Sequence, residues 1–184
     1  MLLRIVSEIS RFEEVVKMVD QFTSAAEAVG ATVKRFPGMA EAIPYLHGVT
    51  GGEKVASSRL PEEYAAFLDE FPLAAPAEYP EAGFCISTAR AGIAQTGSLL
   101  LDLTDPVGRS ATALPPIHLV ILKASAILPD LRAAAPLLGT ALAATENAYL
   151  SLTTGPSRTA DIERVLTIGV HGPKELHILI LEGA

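Results

Sequence analysis

A chain of 184 residues with 49% apolar and 19% charged side chains is long enough to bury a core and too apolar to be disordered, so one domain, residues 1–184, is the economical reading. Its net charge of −7 and pI near 5.1 exclude the basic face that a nucleic-acid partner requires. The mean hydropathy of +0.36 raises the question of a membrane span, but the longest apolar runs, 117–122 and 133–144, fall short of the roughly 18 residues a spanning helix takes.

Met1 to Val6 is too short and too soon followed by acid to serve as a secretory signal, so a soluble cytoplasmic protein is expected. Residues 12–29 read as an amphipathic helix, because Phe12, Val15, Val16, Val19 and Phe22 recur at three- and four-residue spacing. Gly30 stands where a left-handed C-cap belongs, and a strand over 31–36 follows, broken by Pro37-Gly38. A short helix over 40–46 contains Pro44. Lys54–Ser57 reads as a strand, and a helix runs from Pro61 to Phe71 with Glu62 and Glu63 in its first turn. The stretch 72–81, rich in Pro and Ala, reads as a loop. Residues 84–88, 98–103 and 117–122 look like three strands, the first two bracketing a turn with Ala91, Gly92 and Gly97. A helix is expected over 129–147, interrupted or kinked by Pro136 and Gly139. A strand over 148–153, a helix over 158–168 and a closing strand over 176–181 complete the chain. Strands alternating with helices imply a three-layer α/β/α domain whose mostly parallel sheet is covered on both faces.

Chemistry concentrates in a few places. Gly155-Pro156-Ser157-Arg158-Thr159 sits between a strand end and an expected helix start, where backbone N–H groups attract anions. Ser157 and Thr159 offer hydroxyls and Arg158 a fork for carboxylate or phosphate. Plain helix capping by Ser157, with Arg158 in solvent, explains the same residues. The turn ending at Gly97 either allows a close approach to a ligand, with Gln95 and Thr96 facing a pocket, or simply connects two strands. Arg109 follows the turn-like 105–108 and is either solvated or paired with an anion. His118 is expected to bond a neighbouring backbone group. His171, in a Gly-Val-His-Gly-Pro turn, either shapes that turn or acts as acid or base. The four histidines show no metal-site spacing. Cys85, the single cysteine, is expected to be an inert core thiol, and one thiol can neither form an internal disulfide nor hold an iron–sulfur cluster.

Three segments together resemble the lactate-utilisation (LUD) family, in particular its C-type members. They are Ala91-Gly92-Ile93-Ala94-Gln95-Thr96-Gly97-Ser98, then Arg109 with Leu114-Pro115-Pro116-Ile117-His118, and the long block from Thr154 through Glu163 to Gly169-Val170-His171-Gly172-Pro173. The resemblance implies a fold like that of sugar-phosphate isomerases and coenzyme A transferases, and a part in oxidising L-lactate to pyruvate. It implies a subunit with no cofactor of its own that acts beside iron–sulfur partner proteins, and the residues read above add the binding of a small anionic molecule. The residues expected to bind it are Gln95, Thr96, Gly97, Arg109, Gly155, Ser157, Arg158 and Thr159. A stand-alone isomerase or transferase acting on a small carboxylate or phosphate ester is the alternative, and a pure assembly protein a third. One departure bears on the choice: the family carries glutamate before Thr-Gly, whereas this chain has Gln95. An amide is a very poor nucleophile, so residue 95 binds rather than forms a covalent intermediate.

Overall fold

The computed structural model describes residues 2–160, 166–168 and 172–183. Its centre is a five-stranded sheet made of β1 (Thr32–Phe36), β2 (Val55–Ser57), β3 (Phe84–Thr88), β6 (Ile117–Lys123) and β11 (Glu175–Leu181), in the order β1-β11-β6-β3-β2. All four pairings are parallel. The apolar runs of β6 and β11 explain the central placement, because strands covered on both faces need no polar alternation. Leu119, Ile121, Leu179 and Leu181 enter one core, while Val120, Leu122, Ile178 and Ile180 enter the other.

The first of these cores meets α2 (Met39–Thr50), α3 (Glu62–Ala65) and the 3-10 turn Ala66–Glu70 through Leu46, Tyr64 and Phe67. The second meets α1 (Leu2–Ala28) through Val19, Phe22 and Ala26, together with a smaller sheet. A third, smaller cluster joins Cys85 to Ala111 of α4 (Pro106–Ala113) and Tyr79 of the 3-10 turn Pro76–Glu81. A mixed α/β architecture with a parallel central sheet is therefore as expected.

The smaller sheet is a departure. It comprises β4 (Ala91–Ile93), β5 (Ser98–Asp102), β7 (Ile127–Leu128) and β8 (Leu150–Thr153), in the order β7-β4-β5-β8. Leu99 to Leu101 are buried as foreseen, but β5 runs antiparallel to both its neighbours and lies outside the central sheet. The reason is loop length: four residues, 94–97, join β4 to β5, and a parallel partner needs a crossover of a dozen or more.

Other elements also differ. The helix expected over 158–168 is absent where it is described: β9 (Arg158–Ala160) pairs antiparallel with β10 (Leu166–Ile168). Residues 161–165 lie outside the described residues. Pairing Arg158, Thr159 and Ala160 with Leu166, Thr167 and Ile168 suits their partly β-branched character, which outweighs the capping pattern around Ser157. The turn-like 105–108 instead opens α4. Asp105 is its N-cap, accepting from the Val107 N–H at 3.0 Å, with Pro106 in the first turn. The helix expected from Pro129 is α5 (Ala135–Ala144), with Pro136 in its first turn, where a missing N–H costs nothing.

Candidate functional site

Loops at the carboxyl ends of parallel strands are where α/β sheets hold ligands, because the sheet ends there leave a crevice floored by backbone. In this protein the ends of β2, β3 and β6 open onto a cleft of about 810 Å³. Arg59, Arg90 and Lys123 line it, with Glu63, Asp102 and Asp105. The Arg90 guanidinium lies 2.8 Å from Asp102, and the Lys123 ammonium 3.0 Å from Glu63. Partial burial raises the Asp102 carboxyl, but hydrogen bonds from Thr104 and the Arg90 charge outweigh it and hold the carboxyl below its ordinary value. The bond to Glu63 holds the Lys123 ammonium above its own. Asp105 is offset by the N-terminus of α4 that it caps. Arg59 has no charged partner among the described residues, so its charge is the one left uncompensated by a side chain in this cleft.

A second pocket, of about 560 Å³, lies between the smaller sheet and the C-terminal segment. It brings together four of the residues expected from sequence to bind an anion, Arg109, Gly155, Ser157 and Arg158, and His118 also lines it. Both arginines are already engaged. Arg109 Nη1 donates to the carbonyls of Leu103 and Thr104 at 3.0 and 3.3 Å, and its guanidinium lies 5.2 Å from the Tyr149 ring centroid. Arg158 Nη2 donates to the Val29 carbonyl at 2.7 Å, at the C-terminal end of α1. Ser157 donates its backbone N–H to the Pro173 carbonyl at 2.9 Å. Thr159 falls in β9, which removes the helix N-terminus on which an anion site at 155–159 depends.

Gln95, Thr96 and Gly97 occupy the β4–β5 turn and line neither pocket. Gln95 and Thr96 are exposed, and the Gln95 N–H donates to the Pro129 carbonyl at 3.0 Å. Thr96, Ser98 and Thr154 form a chain of hydroxyls with two contacts of 2.7 Å, tying this turn to the Gly155 segment. The close approach at Gly97 is to α1 rather than to a ligand: a Cβ there would collide with the Ala26 backbone nitrogen. His171 lies outside the described residues.

Sequence reasoning missed the sheet-end cleft, since its cations are single residues in unremarkable loops. Signals were present nonetheless, because Ser58-Arg59, Ala89-Arg90 and Lys123 each directly follow or end a legible strand. It also missed the partner of His118. Its Nε2 lies 2.7 Å from Ser87 Oγ, across β3 and β6, rather than on neighbouring backbone. Burial lowers the imidazole pKa to about 4, so the ring is neutral. Cys85 is fully buried, and burial pushes its thiol pKa up, which makes it inert. Among the described residues no cluster of three His, Cys, Asp or Glu side chains can hold a metal ion, and no helix is long and apolar enough to cross a membrane.

Residues 76–181 match the sequence pattern of the LUD domain. The chain is 30% identical over 167 residues to the uncharacterized protein YkgG of Escherichia coli K12, covering 88% of this chain and 72% of that protein. It is 33% identical over 103 residues to lactate utilization protein C of Bacillus subtilis 168, covering 54% of this chain and 43% of that protein. The same-named protein of Macrococcus caseolyticus is 34% identical over 92 residues, 49% of this chain and 40% of its own length. These two matches thus span less than half of the proteins named for lactate utilization. The crystal structure of a DUF162 family protein from Deinococcus radiodurans shares the fold, with a TM-score of 0.65 over 91% of this chain and 98% of that one at 17% identity.

Proposed function

Because the chain belongs to the LUD domain family, we propose that it is a lactate-utilisation subunit that binds a small carboxylate in the cleft at the carboxyl ends of β2, β3 and β6. The names of its Bacillus and Macrococcus relatives support the lactate part of this reading. The observation that carries the binding part is Arg59, whose charge is uncompensated in a cleft where the other two cations are already paired. A planar guanidinium matches a carboxylate in a two-pronged geometry that a lysine cannot reproduce.

Oxidation of lactate needs an electron acceptor, and a chain with one buried thiol offers no place for an iron–sulfur cluster. The proposed division of labour therefore places the clusters in cytoplasmic partner proteins and the carboxylate in this subunit. The alternative, a stand-alone transferase, needs a carboxylate free to attack. Gln95 is an amide, and in the cleft Glu63 and Asp102 are held by cations while Asp105 caps a helix.

Calorimetric titration with L-lactate and with pyruvate tests the binding. Wild type is expected to bind at least one of them, and Arg59→Ala to weaken that binding about tenfold, the effect of removing one charged hydrogen-bonding partner. Because Arg59 is exposed, its melting temperature should stay close to that of wild type. Equal affinity in the two proteins would rule the cleft out as the carboxylate site.

A further inference from the structure

The pocket between the smaller sheet and the C-terminal segment, about 560 Å³, carries an unbalanced charge. The chain has 21 acidic residues against 14 Lys and Arg, yet among the described residues no aspartate or glutamate lines this pocket, while Arg109 and Arg158 both do. The histidine that lines it, His118, is neutral, because burial lowers its pKa to about 4. The bonds that hold the two guanidinium groups go to backbone carbonyls, which orient a cation without cancelling its charge. Arg158 meets in addition only the partial negative charge at the end of α1. A guanidinium has five N–H donors, and the described bonds use Nη1 of Arg109 and Nη2 of Arg158. Nε and the other Nη of each have no partner among the described residues. Arg109 is half-buried and Arg158 exposed, so both are open to solvent. Two like charges brought to one pocket repel, and a bound anion removes that cost.

We propose that this pocket binds a phosphate monoester, with its phosphate between Arg109 and Arg158. A carboxylate offers two oxygens in one plane and fills a single guanidinium fork. A phosphate monoester has three terminal oxygens and close to two negative charges, enough for two forks. Ser151 and Thr153 of β8 add hydroxyls to the same lining, joined to each other only by a long contact of 3.4 Å. The buried Leu103 and Leu176, with the half-exposed Leu152, give the ester's organic part an apolar wall. The site uses other residues than the carboxylate cleft and stands or falls apart from it.

Calorimetric titration with phenyl phosphate tests this, with benzoate, a carboxylate on the same ring, as the comparison. Wild type is expected to bind phenyl phosphate about tenfold more tightly than benzoate. Arg109→Ala and Arg158→Ala should each weaken phenyl phosphate binding about tenfold, the effect of removing one charged partner. Both arginines also hold backbone carbonyls, so a third variant leaves their bonds intact. Leu152→Glu adds a carboxylate to the lining and should weaken phenyl phosphate binding about as much. It should melt close to wild type, because Leu152 is 47% exposed. Failure of wild type to bind phenyl phosphate overturns the proposal, as does benzoate binding equally well. Unchanged affinity in Leu152→Glu overturns it even where an arginine variant fails to fold. A loss of affinity in Arg59→Ala alone overturns it by placing the anion in the sheet-end cleft.

Discussion

Ser87 and His118 satisfy one another in a place where neither could stay alone. Each is buried to within 2% of completely, and a polar group so placed costs stability unless it is bonded. Their contact of 2.7 Å joins β3 to β6 on the face that also carries Cys85. The imidazole has a pH consequence. In the unfolded chain it takes a proton near 6.5, whereas in the fold burial delays protonation to about 4. Between these values the unfolded chain binds more protons, so stability falls as pH drops from about 6.5 to about 4 and is unaffected by this group above that window. At pH 5 the loss amounts to about 2 kcal/mol relative to pH 7. Urea unfolding at the two pH values should show that loss in wild type and much less of it in His118→Gln, which does not titrate. A loss of the same size in both would assign the acid sensitivity to other groups.

The elements around the C-terminus of α1 show how a motif legible in sequence acquires a different meaning in three dimensions. The helix ends in a pair of reversed hydrogen bonds, Ala31 N–H to the Ala26 carbonyl at 3.0 Å and Gly30 N–H to the Glu27 carbonyl at 2.9 Å. Arg158 donates to the Val29 carbonyl just beyond them, placing a cation at the negative end of the helix. The glycines of two sequence motifs press on the same end. A Cβ at Gly97 would lie 2.5 Å from the Ala26 Cα, and one at Gly155 would lie 2.6 Å from the Val29 carbonyl oxygen. Both have positive φ, +65° and +70°. Gly97→Ala therefore meets a backbone conformation and a backbone clash at once. It should cost at least about 2 kcal/mol, seen as a melting temperature lower by many degrees, without any ligand present. A variant as stable as wild type would show that the turn moves freely from α1 and return Gly97 to a ligand-facing role.

At the scale of the molecule, two layers of different construction meet across one core. The parallel sheet supplies the strand ends that open the cleft, while the smaller sheet and α4 supply its far wall through Asp102, Thr104 and Asp105. On the proposed reading, this chain holds the carboxylate and its partners hold the electron acceptor. Purified from its native host under gentle conditions, the chain should bring iron–sulfur proteins with it. Purified alone, it should contain no stoichiometric iron and should not reduce an artificial dye with lactate. Lactate-dependent dye reduction by the isolated chain would overturn the division of labour.

The apolar runs of β3, β6 and β11, the amphipathic pattern of α1 and the lone cysteine are local properties, and each shows in one stretch of chain. They determine the layered α/β class and the buried strands, because continuous apolar runs bury wherever they go. The glycine-rich turn and the Thr154–Pro173 block likewise mark the family from sequence. Which strands share a sheet was decided by loop length and pairing, as the placement of β5 outside the central sheet shows. The strand at 158–160 depended on a partner at 166–168, so local capping residues misled. The cleft depended on still longer range. Arg59, Tyr64, Arg90 and Lys123 are separate residues in sequence with nothing in common until the parallel sheet brings its strand ends to one edge. Only the tertiary structure brings these side chains to one edge, because a different element carries each of them there.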